Sequence, residues 1–323
     1  MNVGIIGAGH IAEKAAWTLS QMDDMQCLAV GSRSLEKART FAAKYGIPRA
    51  YGSYSDLLDD PSVDLVYVAT PHSHHFAVTR EALQKGKPCL VEKAFMANAR
   101  EAAEILSLSR GKGVFVAEAI WTRYLPVQDM AREIIASGQI GEPRLYSAML
   151  SYEIAWKERV LRPELCGGAL LDLGVYGINF VRMFATSPLA TVSSHCVKFP
   201  TGVDASETIT LEMEDGSLGV IQTSALCQGD NMGSISGTKA CLVFDDVNSP
   251  TRLSVYQKGH VLVREFVAPP QITGFEYQFR ACRDAIRAGR IEPPQMPHAE
   301  ILRIMELMDS LRAGWGVRFP MDL

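Results

Sequence analysis

Gly7-Ala8-Gly9-His10-Ile11-Ala12 stands between an apolar run, Val3–Ile6, and a helical pattern over Ile11–Met22, and that placement leaves few folds open. The spacing is G-x-G-x-x-A at a strand-to-helix turn. Gly7 permits the tight turn, Gly9 lets the backbone approach a pyrophosphate, and Ala12 lets the helix pack closely on the strand. The helix start, at His10 and Ile11, offers N–H groups and the positive dipole end to an anion. Alone, the spacing would describe only a tight turn. Its position inside a βαβ unit makes it a dinucleotide-binding signature.

The first ~120 residues repeat that unit. Apolar runs at Met25–Gly31, Leu65–Thr70, Pro88–Val91 and Val114–Glu118 alternate with helical patterns at Leu35–Tyr45, His74–Lys85 and Asn98–Ser109. Nearly continuous apolar strands imply a parallel sheet covered on both faces. The pattern changes near residue 122. Helices are expected at Pro126–Ser137 and Gly167–Ala185, and a strand at Arg144–Tyr152. Period-two runs follow at Ala190–Phe199, Glu207–Met213, Ser217–Ser224, Lys239–Phe244, Thr251–Gln257 and Val261–Val267. Helices at Phe275–Ala288 and His298–Ala313 close the chain. The expectation is an α/β N-terminal Rossmann domain with a doubly wound parallel sheet over 1–122. An α+β C-terminal domain with a large, mostly antiparallel open sheet follows over 123–323, binding substrate and mediating oligomerisation.

Charge and composition narrow the partners. With 323 residues and a net charge of −4 the chain has no electrostatic claim on nucleic acid. No run of eighteen apolar residues appears, so no membrane span is expected. The chain opens without a basic segment leading an apolar one, and its seven cysteines form no CxxC pair. A cytoplasmic protein with unpaired thiols is expected. The exposed face of a large antiparallel sheet predicts a homodimer or higher homo-oligomer.

The tip of the second strand bears on which dinucleotide binds. NAD-binding folds carry a carboxylate there for the ribose 2′-hydroxyl. Here the strand ends Gly31-Ser32-Arg33-Ser34, with Lys37 one turn on. Ser32, Arg33 and Lys37 suit a 2′-phosphate. NADP(H) is therefore the expected cofactor.

Three further groups carry chemistry. Glu92-Lys93 ends a strand, where ligands bind in open α/β sheets. Asp172 and Tyr176 are four apart and would share one face of a helix. Trp121-Thr122-Arg123 lies at the domain junction. His72, His74 and His75 are too close together to face one ion and have no carboxylate or thiolate at ligand spacing, so no metal is expected.

With Gly4–Gly9, Thr70-Pro71-His72-Ser73-His74-His75, Val91-Glu92-Lys93, Gly167–Gly174 and Met296–Glu300, the chain resembles the Gfo/Idh/MocA oxidoreductase family over essentially its full length. Glu118–Arg123 and Tyr176 resemble its dimeric dihydrodiol dehydrogenase and glucose–fructose oxidoreductase branch. The resemblance implies hydride transfer between the nicotinamide and a CH–OH or C=O carbon of a sugar, polyol, trans-dihydrodiol or dicarbonyl. It implies catalytic roles for Lys93, Tyr176 and Asp172, with Asp172 orienting either a substrate hydroxyl or Lys93. Thr70, His72 and Glu92 join the cofactor site, with His75 packed beneath His72, Trp121 as a pocket wall and Arg123 at the cofactor or pocket edge. The loops Tyr152–Arg162 and Leu226–Met232 are expected to shape the pocket. Ala94 stands where most of the family reads Pro, so Lys93 is expected to be less rigidly held.

The chemistry closes energetically. An alcohol loses a proton as its hydride leaves, so an acid/base is required. Lowering a tyrosine from ~10 to ~7 takes roughly 4 kcal/mol. An ammonium ~4 Å away supplies about that at an effective dielectric of 20. Lys93 and Tyr176, brought from separate domains, are expected to meet at the nicotinamide. The rival reading is a non-catalytic NADP-binding sensor on the same fold. A redox-neutral enzyme with retained cofactor is a third.

Overall fold

The structure is a computed structural model that describes residues 1–322 as two compact units. The chain begins with β1 (Asn2–Ile6), α1 (His10–Ser20), β2 (Gln26–Gly31), α2 (Leu35–Tyr45), β3 (Arg49–Tyr51) and α3 (Tyr54–Leu58). It continues through β4 (Leu65–Val68), α4 (His72–Gln84), β5 (Cys89–Glu92), α5 (Ala99–Lys112) and β6 (Val116–Ala119). The strands form one parallel sheet in the order β3-β2-β1-β4-β5-β6. Every residue of β4, β5 and β6 is buried, as helices on both faces require. The order reverses between β1 and β4, the switch point where such sheets bind ligands. Local chemistry sets the helix ends. The Ser34 side chain accepts from Lys37 N to start α2, and Gly46, at φ +67°, stops it.

The second unit contains α6 (Pro126–Ala136), β7 (Pro143–Ser151), α7 (Glu158–Leu161), a π-helical turn at Leu170–Gly174 and α8 (Val175–Phe184). Seven strands follow: β8 (Leu189–Lys198), β9 (Asp204–Met213), β10 (Leu218–Ser224), β11 (Gly233–Gly237), β12 (Cys241–Phe244), β13 (Arg252–Gln257) and β14 (Val261–Val267). The sheet order is β14-β13-β12-β11-β7-β10-β9-β8, and only β10 on β7 is parallel. Close approach seats α8 on this sheet. A Cβ at Gly177 would stand 2.5 Å from Ile221 Cγ2, and one at Gly219 would stand 2.5 Å from Val181 Cγ1.

The chain ends with α9 (Phe275–Arg287) and α10 (His298–Trp315). Here the expected division at 122/123 needs correction. Gln271–Glu306 belongs to the first unit and Leu307–Met321 to the second. Within the first unit, Phe279 of α9 meets Tyr67 edge-on, and Val116 N donates to Ile291 O. The sequence reading also passed over β3, α3, α7 and β11. β11 is Gly-Ser-Ile-Ser-Gly and lacks an apolar alternation to announce it.

Candidate functional site

The first unit presents a phosphate cradle. Gly7 adopts φ +110°, and a Cβ there would press to 2.6 Å from Ala69 O. Nothing lies within 4 Å of the Cβ position at Gly9, which caps α1 without a side chain. The first-turn N–H groups, at His10 and Ile11, have no intrahelical acceptor by the nature of a helix start. His10 has a side chain 96% exposed. Thr70 Oγ1, at the end of β4, is buried and has no hydrogen-bond partner among the described residues. Open space, an uncapped helix start and an orphaned hydroxyl fit a dinucleotide's pyrophosphate and ribose. At the β2 tip, Ser32 is buried and its Oγ accepts from Ser34 N at 3.4 Å. Arg33 and Lys37 are exposed, and no carboxylate stands between Gly31 and Leu35.

Beside the cradle, β5 delivers Glu92 and Lys93. Glu92 is buried and accepts from Tyr67 OH; burial pushes its carboxyl above the usual range. The loop after it is pinned from two sides. His72 Nε2 lies 3.1 Å from Lys93 O. His75 Nδ1 lies 3.0 Å from Ala94 O, and its Nε2 lies 2.8 Å from Thr70 O. Phe95 N donates to Glu118 Oε1 at 3.0 Å. Ala94, Phe95, Met96 and Ala97 are wholly buried. Imidazoles and a carboxylate thus hold the segment that follows Lys93, where Ala94 stands in place of a proline. The Lys93–Ala94 peptide is cis. Burial holds the His75 ring below its ordinary range, opposed by the Thr70, Ala94 and Phe95 carbonyls that face its two nitrogens.

Trp121 is 5% exposed and packs 5.3 Å from Phe275. Lys14 Nζ lies 3.9 Å from the Trp121 ring centre and 4.1 Å from that of Phe275. Burial lowers this ammonium to about 8, partly opposed by Glu92 and Glu276.

The second unit carries Asp172 and Tyr176. Asp172 lies in the π-turn and Tyr176 in the first turn of α8, and both are buried. The expectation of one continuous α-helix from Gly167 is corrected. Leu170 N donates to Asp204 Oδ2 at 2.5 Å, and the backbone runs π-helical before α8 begins. Both Asp172 oxygens accept from Arg159, at 2.8 and 3.0 Å. Arg123 belongs to this unit, is buried, and donates from Nε to Asn179 Oδ1 at 2.6 Å. Asn179 in turn donates to Val175 O, tying Arg123 to α8.

Sequence reasoning missed Lys14, Tyr67, Arg159 and Asn179 as participants. A signal existed for Lys14, three residues after Ile11 on the same helix. None existed for Arg159, which sits in a stretch without periodicity.

Comparison with known proteins adds to this geometry. Residues 1–119 match the family described as "Oxidoreductase family, NAD-binding Rossmann fold", and residues 129–243 match the "GFO/IDH/MocA C-terminal domain". A trans-1,2-dihydrobenzene-1,2-diol dehydrogenase of Mus musculus is 34% identical, over 99% of this chain and 98% of that protein. The Homo sapiens protein of the same name is 33% identical at the same coverage. Among solved structures, KijD10, a 3-ketoreductase from Actinomadura kijaniata in complex with NADP and TDP-benzene, superimposes with TM-score 0.88. It is 25% identical, over 97% of each chain. The aldose-aldose oxidoreductase of Caulobacter crescentus, 22% identical over 98% of this chain and 97% of that one, shares the fold at TM-score 0.88.

Proposed function

The chain belongs to the Gfo/Idh/MocA family of oxidoreductases with a nicotinamide-dinucleotide-binding Rossmann domain, and from that premise we propose that it uses NADP(H) to interconvert a hydroxyl and a carbonyl on a vicinal diol or sugar. The observation that carries the cofactor choice is the β2 tip, where Ser32 and Arg33 stand with no carboxylate between Gly31 and Leu35 and Lys37 follows in the first turn of α2. A carboxylate there would repel a 2′-phosphate; a guanidinium attracts one. The relatives named as diol dehydrogenases support the hydroxyl class, and the NADP-bound ketoreductase supports the carbonyl direction.

Bound NADP(H) supplies or accepts the hydride. The chain's residues do the rest. Gly7, Gly9, His10, Ile11 and Thr70 hold the phosphates and ribose, and His72 and His75 fix the loop carrying Lys93. Glu92, Trp121 and Arg123 complete the surroundings of the nicotinamide and pocket. Lys93 polarises the substrate oxygen, Tyr176 gives or takes its proton, and Asp172 orients a neighbouring hydroxyl. Steady-state kinetics on trans-diols and aldoses with NADP⁺ and NAD⁺ test this. Arg33→Ala should weaken NADP⁺ by ~10- to 100-fold and leave NAD⁺ nearly unchanged. Lys93→Met should lower kcat by ~100-fold or more. Equal losses for both cofactors, or an undiminished Lys93→Met, would overturn the two assignments respectively.

A homodimer, acting in the reducing cytoplasm that seven cysteines outside any disulfide suit, completes the proposal. Val261, Leu262, Val263 and Val267 of the edge strand β14 are exposed, as are Val192 and Val197 of β8. Apolar strands of this kind call for cover. Light scattering should give about twice the chain mass at micromolar concentration; a monomer there ends the dimer reading.

A further inference from the structure

The Asp172 carboxylate is gripped by a side chain that the mechanism above does not use. Arg159 Nη1 donates to Oδ1 at 2.8 Å and Nη2 to Oδ2 at 3.0 Å, a two-pronged charge-assisted contact. The Asp172 side chain is 8% exposed and that of Arg159 43%, so a buried carboxylate is held by a guanidinium whose side chain reaches the surface. Arg159 comes from α7, a single turn thirteen residues ahead of Asp172.

What places α7 is the double glycine before the π-turn. Gly168 N donates to Val160 O at 2.9 Å and Gly167 N to Arg162 O at 3.0 Å. A Cβ at Gly167 would stand 2.6 Å from Val160 O and 2.8 Å from Arg159 O. The backbone of 159–160 therefore lies against Gly167 because no side chain intervenes. Backbone docking at 167–168 and the fork on Asp172 make one device: the glycines hold the arginine, and the arginine holds the carboxylate. The terminal torsion of an aspartate is broad and roughly two-fold, so a fork on both oxygens is what fixes the carboxylate plane.

We propose that Arg159 is a positioning residue for the reaction, setting the plane and neutralising the charge of Asp172 so that this carboxylate meets a substrate hydroxyl in one orientation. The inference rests on the reading of Asp172 as a substrate-contacting group. A guanidinium is needed rather than a bare positive charge, because only its planar fork matches both oxygens at once.

The test compares Arg159→Ala, Arg159→Lys, Asp172→Asn and the Arg159→Ala/Asp172→Asn double variant in NADP⁺ reduction with D-xylose. Arg159→Ala should lose ~10- to 100-fold in kcat/KM while its affinity for NADP⁺ stays constant. Arg159→Lys should recover only part of the loss. Guanidinium chloride at tens of millimolar should restore part of the Arg159→Ala activity, and sodium chloride at equal strength should not. The double variant should be no worse than Asp172→Asn alone. An impaired Asp172→Asn beside an unimpaired Arg159→Ala would overturn this inference alone, as would losses that add fully in the double variant. A fully active Asp172→Asn would remove the reading of Asp172 and this inference with it. Because Arg159 is partly exposed on a short turn, the variants should melt close to the parent; a defect that tracks lost folding, without guanidinium rescue, also counts against it.

Discussion

Residues near the candidate site differ in how openly the sequence declares them. Lys93 stands out because it ends an apolar strand, and Gly7 and Gly9 because their spacing falls at a strand-to-helix turn inside a βαβ unit. Arg159 does not stand out, since the loop Tyr152–Arg162, expected to shape the pocket, offers no periodicity that singles out one side chain. Asp204 was equally hidden. It falls before the run Glu207–Met213 that reads as a strand, yet it heads β9, is buried and caps the π-turn through Leu170 N. Burial is the largest cause that pushes its carboxyl up to about 6, against the Leu170 contact and the Arg312 charge, which lower it. A folded-state value above the unfolded one means that the native protein holds more protons between about pH 4 and 6. Stability from this group is therefore present below that window and lost as pH rises through it. Asp204→Asn keeps an acceptor for Leu170 N and removes the titration. Thermal melts should show the variant gaining on the parent from pH 4 to above pH 6, by on the order of 1–3 kcal/mol. A gap that stays constant across that range would show that Asp204 does not titrate there.

At the scale of elements, period and composition located most of what is there and mistook its local geometry. The run from Gly167 to Ala185 is apolar enough to read as one helix. That its first turn is π-helical depends on Asp204, thirty-four residues later in the chain, and on Gly174, where a Cβ would stand 2.8 Å from Glu207 Oε1. No window of local sequence contains those partners. The insertion matters because Asp172 and Tyr176 span it, one in the π-turn and one in α8. Their relative facing is set by the turn type and not by ordinary helical spacing. Glu207 is fully buried, and neither of its oxygens has a hydrogen-bond partner among the described residues. Burial holds its carboxyl well above the usual range, with the Asp204 charge adding to it. A neutral acid can sit under Gly174 at far lower cost than a carboxylate. β11 was missed for the opposite reason: two glycines and two serines in five residues suppress every strand signal, and only pairing between β7 and β12 makes it a strand.

Across the whole molecule, the sequence suggested a simple cut after residue 122, and the chain does not respect it. The first unit ends at Trp121 and resumes at Gln271. The resumed part is structural. Phe275 and Phe279 are 1% and 0% exposed, Cys282 is 0% exposed, and Arg280 and Arg283 both pair with Asp24 at the far end of α1's loop. His298 Nε2 lies 2.9 Å from Val116 O on β6. Each large apolar side chain buried this way contributes ~1.5–3 kcal/mol, against a net stability for a domain of roughly 5–15 kcal/mol. Removing the segment also strips Phe275 from Trp121 and Lys14. A fragment of residues 1–122 should therefore lack a cooperative thermal transition and bind a hydrophobic dye. The same fragment joined through a flexible linker to residues 271–306 should melt cooperatively and bind NADP⁺. A 1–122 fragment that folds and binds NADP⁺ unaided would mean that the returning helices cover the nucleotide-binding unit without being required by it.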